Sequence, residues 1–185
     1  MVFGELIEQA RTWSTGKVWW WRFPLLLWFA YILLLHVKDP RYTSILGPLN
    51  LGIHELGHML FGWGGETISL LGGTVTQLAA PFLGIWNFLR QEDYFACTLC
   101  LGWLSTNLFS VSTYIADARA MELELVAPFG VSTVMHDWNT LLGNAGLLSC
   151  DHAIAGFVWI LAVASMLACL ITGGWLVWQM VIVRR

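Results

Sequence analysis

The chain has 185 residues, of which 57% are hydrophobic and 11% are charged. Ordinary soluble domains carry about 25% charged residues, so charges this sparse do not coat a water-exposed surface, and the composition points to a bilayer as solvent. The net charge of −3 excludes a strongly basic nucleic-acid binder, and the length suits one domain better than two.

The expected fold is an all-α, multi-pass integral membrane domain with about five transmembrane helices and a polar loop region between the fourth and fifth. Residues 1–17 read as an N-terminal surface segment, with Phe3, Leu6, Ile7 and Ala10 on one side of an amphipathic helix. The first apolar segment covers residues 18–37. No small-residue cleavage site follows it, so it reads as a retained anchor and not a signal peptide. Trp19, Trp20 and Trp21, between Lys17 and Arg22, have the character of an interfacial belt. After the turn at residues 38–41 a second segment spans residues 42–63, and Gly64-Gly65-Glu66 ends it. The third, residues 68–89, carries Gly72-Gly73, Thr74, Thr76, Gln77 and Pro81. Its glycines permit irregular backbone lining a wet cavity, with Gln77 facing that cavity.

The fourth segment covers residues 94–116. Its Cys97 and Cys100 form C-x-x-C, but a zinc ribbon requires a second such pair, and the two read as small apolar filler. Residues 117–152 form the polar loop region. Within it Met121 to Val126 alternates like a half-buried strand, and residues 141–148 suit a short interfacial helix. The fifth segment, residues 153–183, holds 31 residues. A span needs about 20, so this helix must tilt, protrude or break near Gly173-Gly174. His36 and His152 read as interface residues, and Lys and Arg are spread too evenly for the positive-inside rule to set the orientation.

The chemistry concentrates in the second segment, where His54-Glu55-Leu56-Gly57-His58 spells H-E-x-x-H. Residues four apart share a helix face, so both imidazoles reach one metal ion, and Glu55 beside them takes a proton from an activated water. Ionisable groups in an apolar segment are expensive and point to function. A catalytic zinc needs a third protein ligand. The fourth segment should end on the side where the second ends, which brings Asp117 and the pair His136-Asp137 to the metal's side. Asp117, His136 and Asp137 are the candidates. For Asp137 the alternative is an N-cap ahead of Trp138, and for Asp117 a local ion pair with Arg119. Asn107, mid-helix in an apolar run, calls for a partner or a role.

His54, Glu55 and His58, with the later Asn107 and Asp117, resemble the site-2-protease-like family of intramembrane zinc metalloproteases. The similar region is residues 45–120. The resemblance implies Zn2+ held by His54, His58 and Asp117, with Glu55 as general base and Asn107 stabilising an oxyanion or positioning substrate. No Pro lies between Asn107 and Asp117, and Ala118 stands where that family has Gly, so this is a divergent, minimal version of the pattern.

The expected function is therefore a membrane-embedded zinc metallopeptidase, acting among lipids on a membrane-protein or peptide substrate, with no nucleic-acid partner. The alternative is a non-catalytic subunit of a membrane protein complex with a structural or vestigial metal site; an intact Glu55 argues against it. A transporter is weakened by the lack of internal repeats.

Overall fold

The computed structural model describes residues 2–123 and 135–182. These form seven α-helices: α1 (Val2–Ser14), α2 (Arg22–Lys38), α3 (Gly47–Phe61), α4 (Glu66–Arg90), α5 (Tyr94–Ala116), α6 (Asp137–Asn144) and α7 (Asp151–Ile182), with single 3-10 turns at Gly62–Gly64 and Leu148–Cys150. Among the described residues there is no strand. The expected strand at Met121 to Val126 is irregular at residues 121–123, and the rest of it lies outside the described residues.

Among the described residues, three helical stretches are long and apolar enough to cross a membrane: Glu66–Arg90, Tyr94–Ala116 and Leu148–Ile182. The other two expected spans are shorter, α2 with 17 residues and α3 with 15. The second segment shortens because residues 39–46 do not join the helix, which begins at Gly47 with Pro48 in its first turn. At the other extreme, α7 runs 32 residues without a break at Gly173-Gly174. Gly173 sits there because a Cβ would lie 2.6 Å from the Leu26 side chain, so the glycine admits α2.

The frame is an antiparallel pair, α5 and α7. Ser105 Oγ donates to Ala162 O at 2.7 Å, and Ser112 Oγ to Ala155 O at 2.8 Å. The steps of seven along each helix run in opposite senses, which keeps one face of α5 on one face of α7. Small residues with hydroxyls suit such contacts in an apolar medium, where close packing replaces the hydrophobic driving force. Against this pair lies α2, parallel to α5. Phe29 fills the space beside Gly102, His36 stacks on Phe109 with ring centroids 4.2 Å apart, and Thr113 Oγ1 donates to Pro40 O at 2.7 Å. His36 is thus buried at 3% exposure in the last turn of α2, whereas the His152 side chain is 70% exposed.

These pairings decide the path of α3. Its N-terminal part meets the middle of α5: Asn50 Nδ2 donates to Thr106 Oγ1, and Trp103 Nε1 donates to Asn50 Oδ1 at 2.8 Å. Pro40, only ten residues earlier, stands level with Thr113. The chain therefore turns back after α2, by about 10 Å judged from the seven residues between Thr106 and Thr113. It then rises again as α3, parallel to α5, so α3 is a re-entrant arm beginning at mid-height of the bundle.

α4 returns antiparallel to α3 at very close range. A Cβ on Gly57 would overlap the Gly72 carbonyl and lie 2.8 Å from Gly73 Cα, and one on Gly72 would lie 2.6 Å from Phe61 Cβ. The glycines expected to loosen the backbone instead serve a continuous helix, α4, by letting α3 approach. Cys97 and Cys100 are free and face α4 near Ile85 and Gly84, as filler. At the opposite end α1 packs through Ala10, and Tyr94 Oη donates to Gln9 Oε1 at 3.2 Å.

Candidate metal centre

His54 and His58 project from α3 toward α4, with ring centroids 4.7 Å apart at 80°. His58 Nδ1 lies 2.9 Å from the Ser69 carbonyl, which only accepts, so Nδ1 carries the proton. His54 Nδ1 likewise donates to Gln77 Oε1 at 3.1 Å. With both Nδ1 atoms as donors, each neutral ring presents a bare lone pair at Nε2.

Both lone pairs face one carboxylate. Asp137 Oδ2 is 2.9 Å from His54 Nε2 and 3.2 Å from His58 Nε2. Burial pushes the Asp137 carboxyl up, but hydrogen bonds from the two imidazoles and their positive charge, present when Nε2 also carries a proton, outweigh it and hold the group below the ordinary carboxylate range. An anion aimed at two lone pairs is repulsive unless positive charge lies between them, supplied by a metal ion or by ring protons. The separations suit an ion, since ligand atoms about 2.0–2.1 Å from a tetrahedral metal lie about 3.3 Å from one another. Room is kept by Gly73, where a Cβ would be 2.7 Å from His54 Nε2 and 2.8 Å from His58 Nε2.

His54, Glu55 and His58 form a group able to hold a metal ion, their donor atoms lying within 4.8 Å of one another. Of the three, His54 is buried and Glu55 half-buried. Gly73 sits seven residues into α4, about 10 Å along its axis, so the centre lies inside the apolar layer of the bundle but near one end.

The carboxylate at the imidazoles is Asp137 and not Asp117. Asp117 Oδ1 accepts the Glu122 N–H at 3.0 Å, and Oδ2 accepts the Leu123 N–H at 3.1 Å and the His136 Nε2–H at 3.3 Å. It closes the turn after α5. His136 is also turned away from the imidazoles: its Nδ1 accepts the Asn139 N–H at 3.2 Å and caps α6. The cap is therefore His136, and Asp137, the first residue of the helix, is free to reach the histidines. The physical reason is register, because α6 folds back over the α3–α4 hairpin and delivers the residue after the cap.

Asn107 is fully buried, and its Nδ2 donates to Trp103 O at 2.9 Å. It stands seven residues before Tyr114, about 10 Å away along α5, and its Oδ1 is buried with no hydrogen-bond partner among the described residues. Tyr114 touches the centre: its hydroxyl accepts the Asp137 N–H at 3.0 Å, and its ring centroid lies 6.2 Å from that of His54. Tyr114 and Ser69 were not legible as site residues, since a Tyr near a helix end and a backbone carbonyl carry no sequence signal. Arg119, the neighbour offered to Asp117, instead pairs with buried Asp151 at 2.7 Å, tying the turn after α5 to the start of α7.

No protein-family model, curated protein or solved structure matches the chain.

Proposed function

We propose that this chain is a multi-pass membrane zinc metallopeptidase that hydrolyses peptide bonds in or near the bilayer. The observation that carries the reading is the convergence of two Nδ1-anchored imidazoles and one buried carboxylate beside Glu55. His54, His58 and Asp137 hold the ion; two nitrogens and one oxygen are a donor set typical of catalytic zinc, which keeps a further position open. When bound, Zn2+ polarises a peptide carbonyl and acidifies water. Glu55 accepts the proton of the attacking water and returns it to the leaving amine. Ser69 and Gln77 fix the imidazole tautomers, and Gly73 keeps the space beside Nε2 clear.

In this reading α2, α4, α5 and α7 cross the bilayer and α3 enters from the metal side without crossing. Such an arm is tolerated only where protein or a wet cavity surrounds it, and Asn50 with its partners on α5 supplies polar company. A non-catalytic subunit with a structural metal has no need of a carboxylate at position 55.

The test is Glu55→Gln in the purified full chain. Zinc content should stay near that of wild type, and cleavage of a membrane-embedded reporter peptide should fall by about 10²–10⁴. Loss of the metal together with activity would make Glu55 a ligand, and equal cleavage by both proteins would remove its role as base.

A further inference from the structure

We infer that Asp117 and His136 form a positioning pair that holds the Asp137 carboxylate against His54 and His58. The inference rests on the metal-centre reading above and assigns the two residues a role other than ligation.

α6 has eight residues. A helix that short is not stable alone in water, so outside contacts set its place and rotation. Four of them surround Asp137. His136 Nδ1 accepts the Asn139 N–H, which leaves the ring proton on Nε2, and Nε2 donates to Asp117 Oδ2 at 3.3 Å. The His136 ring lies against Tyr114, with centroids 4.3 Å apart, and the Tyr114 hydroxyl accepts the Asp137 N–H. Asn139 Nδ2 donates to Ala118 O at 2.8 Å. Asp117 is itself immobilised by the Glu122 and Leu123 amides.

A capping histidine at a protein surface needs only its Nδ1. Here the His136 side chain is 2% exposed, and its second nitrogen meets the Asp117 side chain, which is 6% exposed. That second tie fixes the turn of α6 about its axis. Successive residues of a helix point about 100° apart, so a slip of one residue at His136 takes Asp137 off both imidazoles.

The test uses the full chain in detergent, titrated with Co2+ as probe, reading affinity and the visible absorption of the bound ion. His136→Asn keeps a capping oxygen for the Asn139 amide but does not span to Asp117. Asp117→Asn loses one acceptor oxygen and turns an amide toward N–H donors. Both should still bind one ion, about 10–100-fold more weakly and with a shifted spectrum, whereas Asp137→Asn should be weaker than either. Unchanged affinity and spectrum in both variants overturns the inference. So does an Asp117→Asn variant that loses the ion while Asp137→Asn keeps it, since Asp117 is then the ligand. If Asp117→Asn fails to fold, His136→Asn decides. A metal-free measurement separates the two readings: amide hydrogen exchange in residues 137–144 should be faster in His136→Asn than in wild type. Wild type that binds no Co2+ or Zn2+ removes the metal reading, while unchanged exchange removes the positioning role whatever the metal does.

Discussion

At the scale of single residues, the centre depends as much on what is missing as on what is present. Gly73 has no side chain at the point where both Nε2 atoms converge, and a methyl there would sit closer to each than real contacts allow. Gly73→Ala should therefore force the imidazoles off Asp137 and weaken zinc binding by at least about tenfold, the scale of losing one well-placed supporting contact. Isothermal titration beside a circular-dichroism melt checks this, because an intact helical melt with unchanged zinc affinity would show that the space at Gly73 is not the metal's. Glu55 is half-buried beside His54 and His58, whereas Asp137 is buried and faces both rings.

At the scale of elements, α3 carries both imidazoles and α4 holds them in place. Their contact runs through Gly57, Gly72 and Gly73, with the His58 side chain anchored on the Ser69 carbonyl and Ser69 Oγ donating to His58 O at 3.2 Å. Gly57→Ala should separate the pair, because its methyl would meet the α4 backbone and not a flexible side chain. Overpacking of this kind costs about 1–3 kcal/mol. Gly52→Ala, on the same helix with nothing within 4 Å of its Cβ, should cost nothing or stabilise slightly. Thermal unfolding of the two variants in one detergent gives the comparison, and equal midpoints would mean that the α3–α4 contact is looser than described.

At the scale of the whole molecule, the re-entrant path of α3 changes the sidedness of the chain. With five full spans, residues 41 and 150 fall on opposite sides; with α3 turning back, they share the metal's side and residue 91 lies opposite. Arg41, Gln91 and Cys150 are all exposed, and the other cysteines are buried or half-buried. In sealed, uniformly oriented vesicles, a membrane-impermeant thiol reagent should label native Cys150 and an Arg41→Cys, Cys150→Ser variant from one side. A Gln91→Cys, Cys150→Ser variant should be labelled only from the other. Labelling of positions 41 and 150 from opposite sides would restore the five-span arrangement.

The sequence by itself determined the helical apolar character of the chain, the boundaries of α4 and α5 within a few residues, and the core of the centre at His54, Glu55 and His58. These follow from local rules, namely runs of apolar residues, the i, i+4 spacing of a helix face and the high cost of ionisable groups in apolar surroundings. Only the tertiary structure decided which carboxylate meets the imidazoles. Asp117 and Asp137 are the same residue type and lie on the same side of the bundle, so the choice turned on where the α6 backbone docks, a matter of contacts to Tyr114, Asp117 and Ala118 far apart in sequence. It also decided that residues 42–63 are not one continuous helix. Hydropathy measures how apolar a segment is but not the direction in which it runs, and the turn after Pro40 is set by packing against α5.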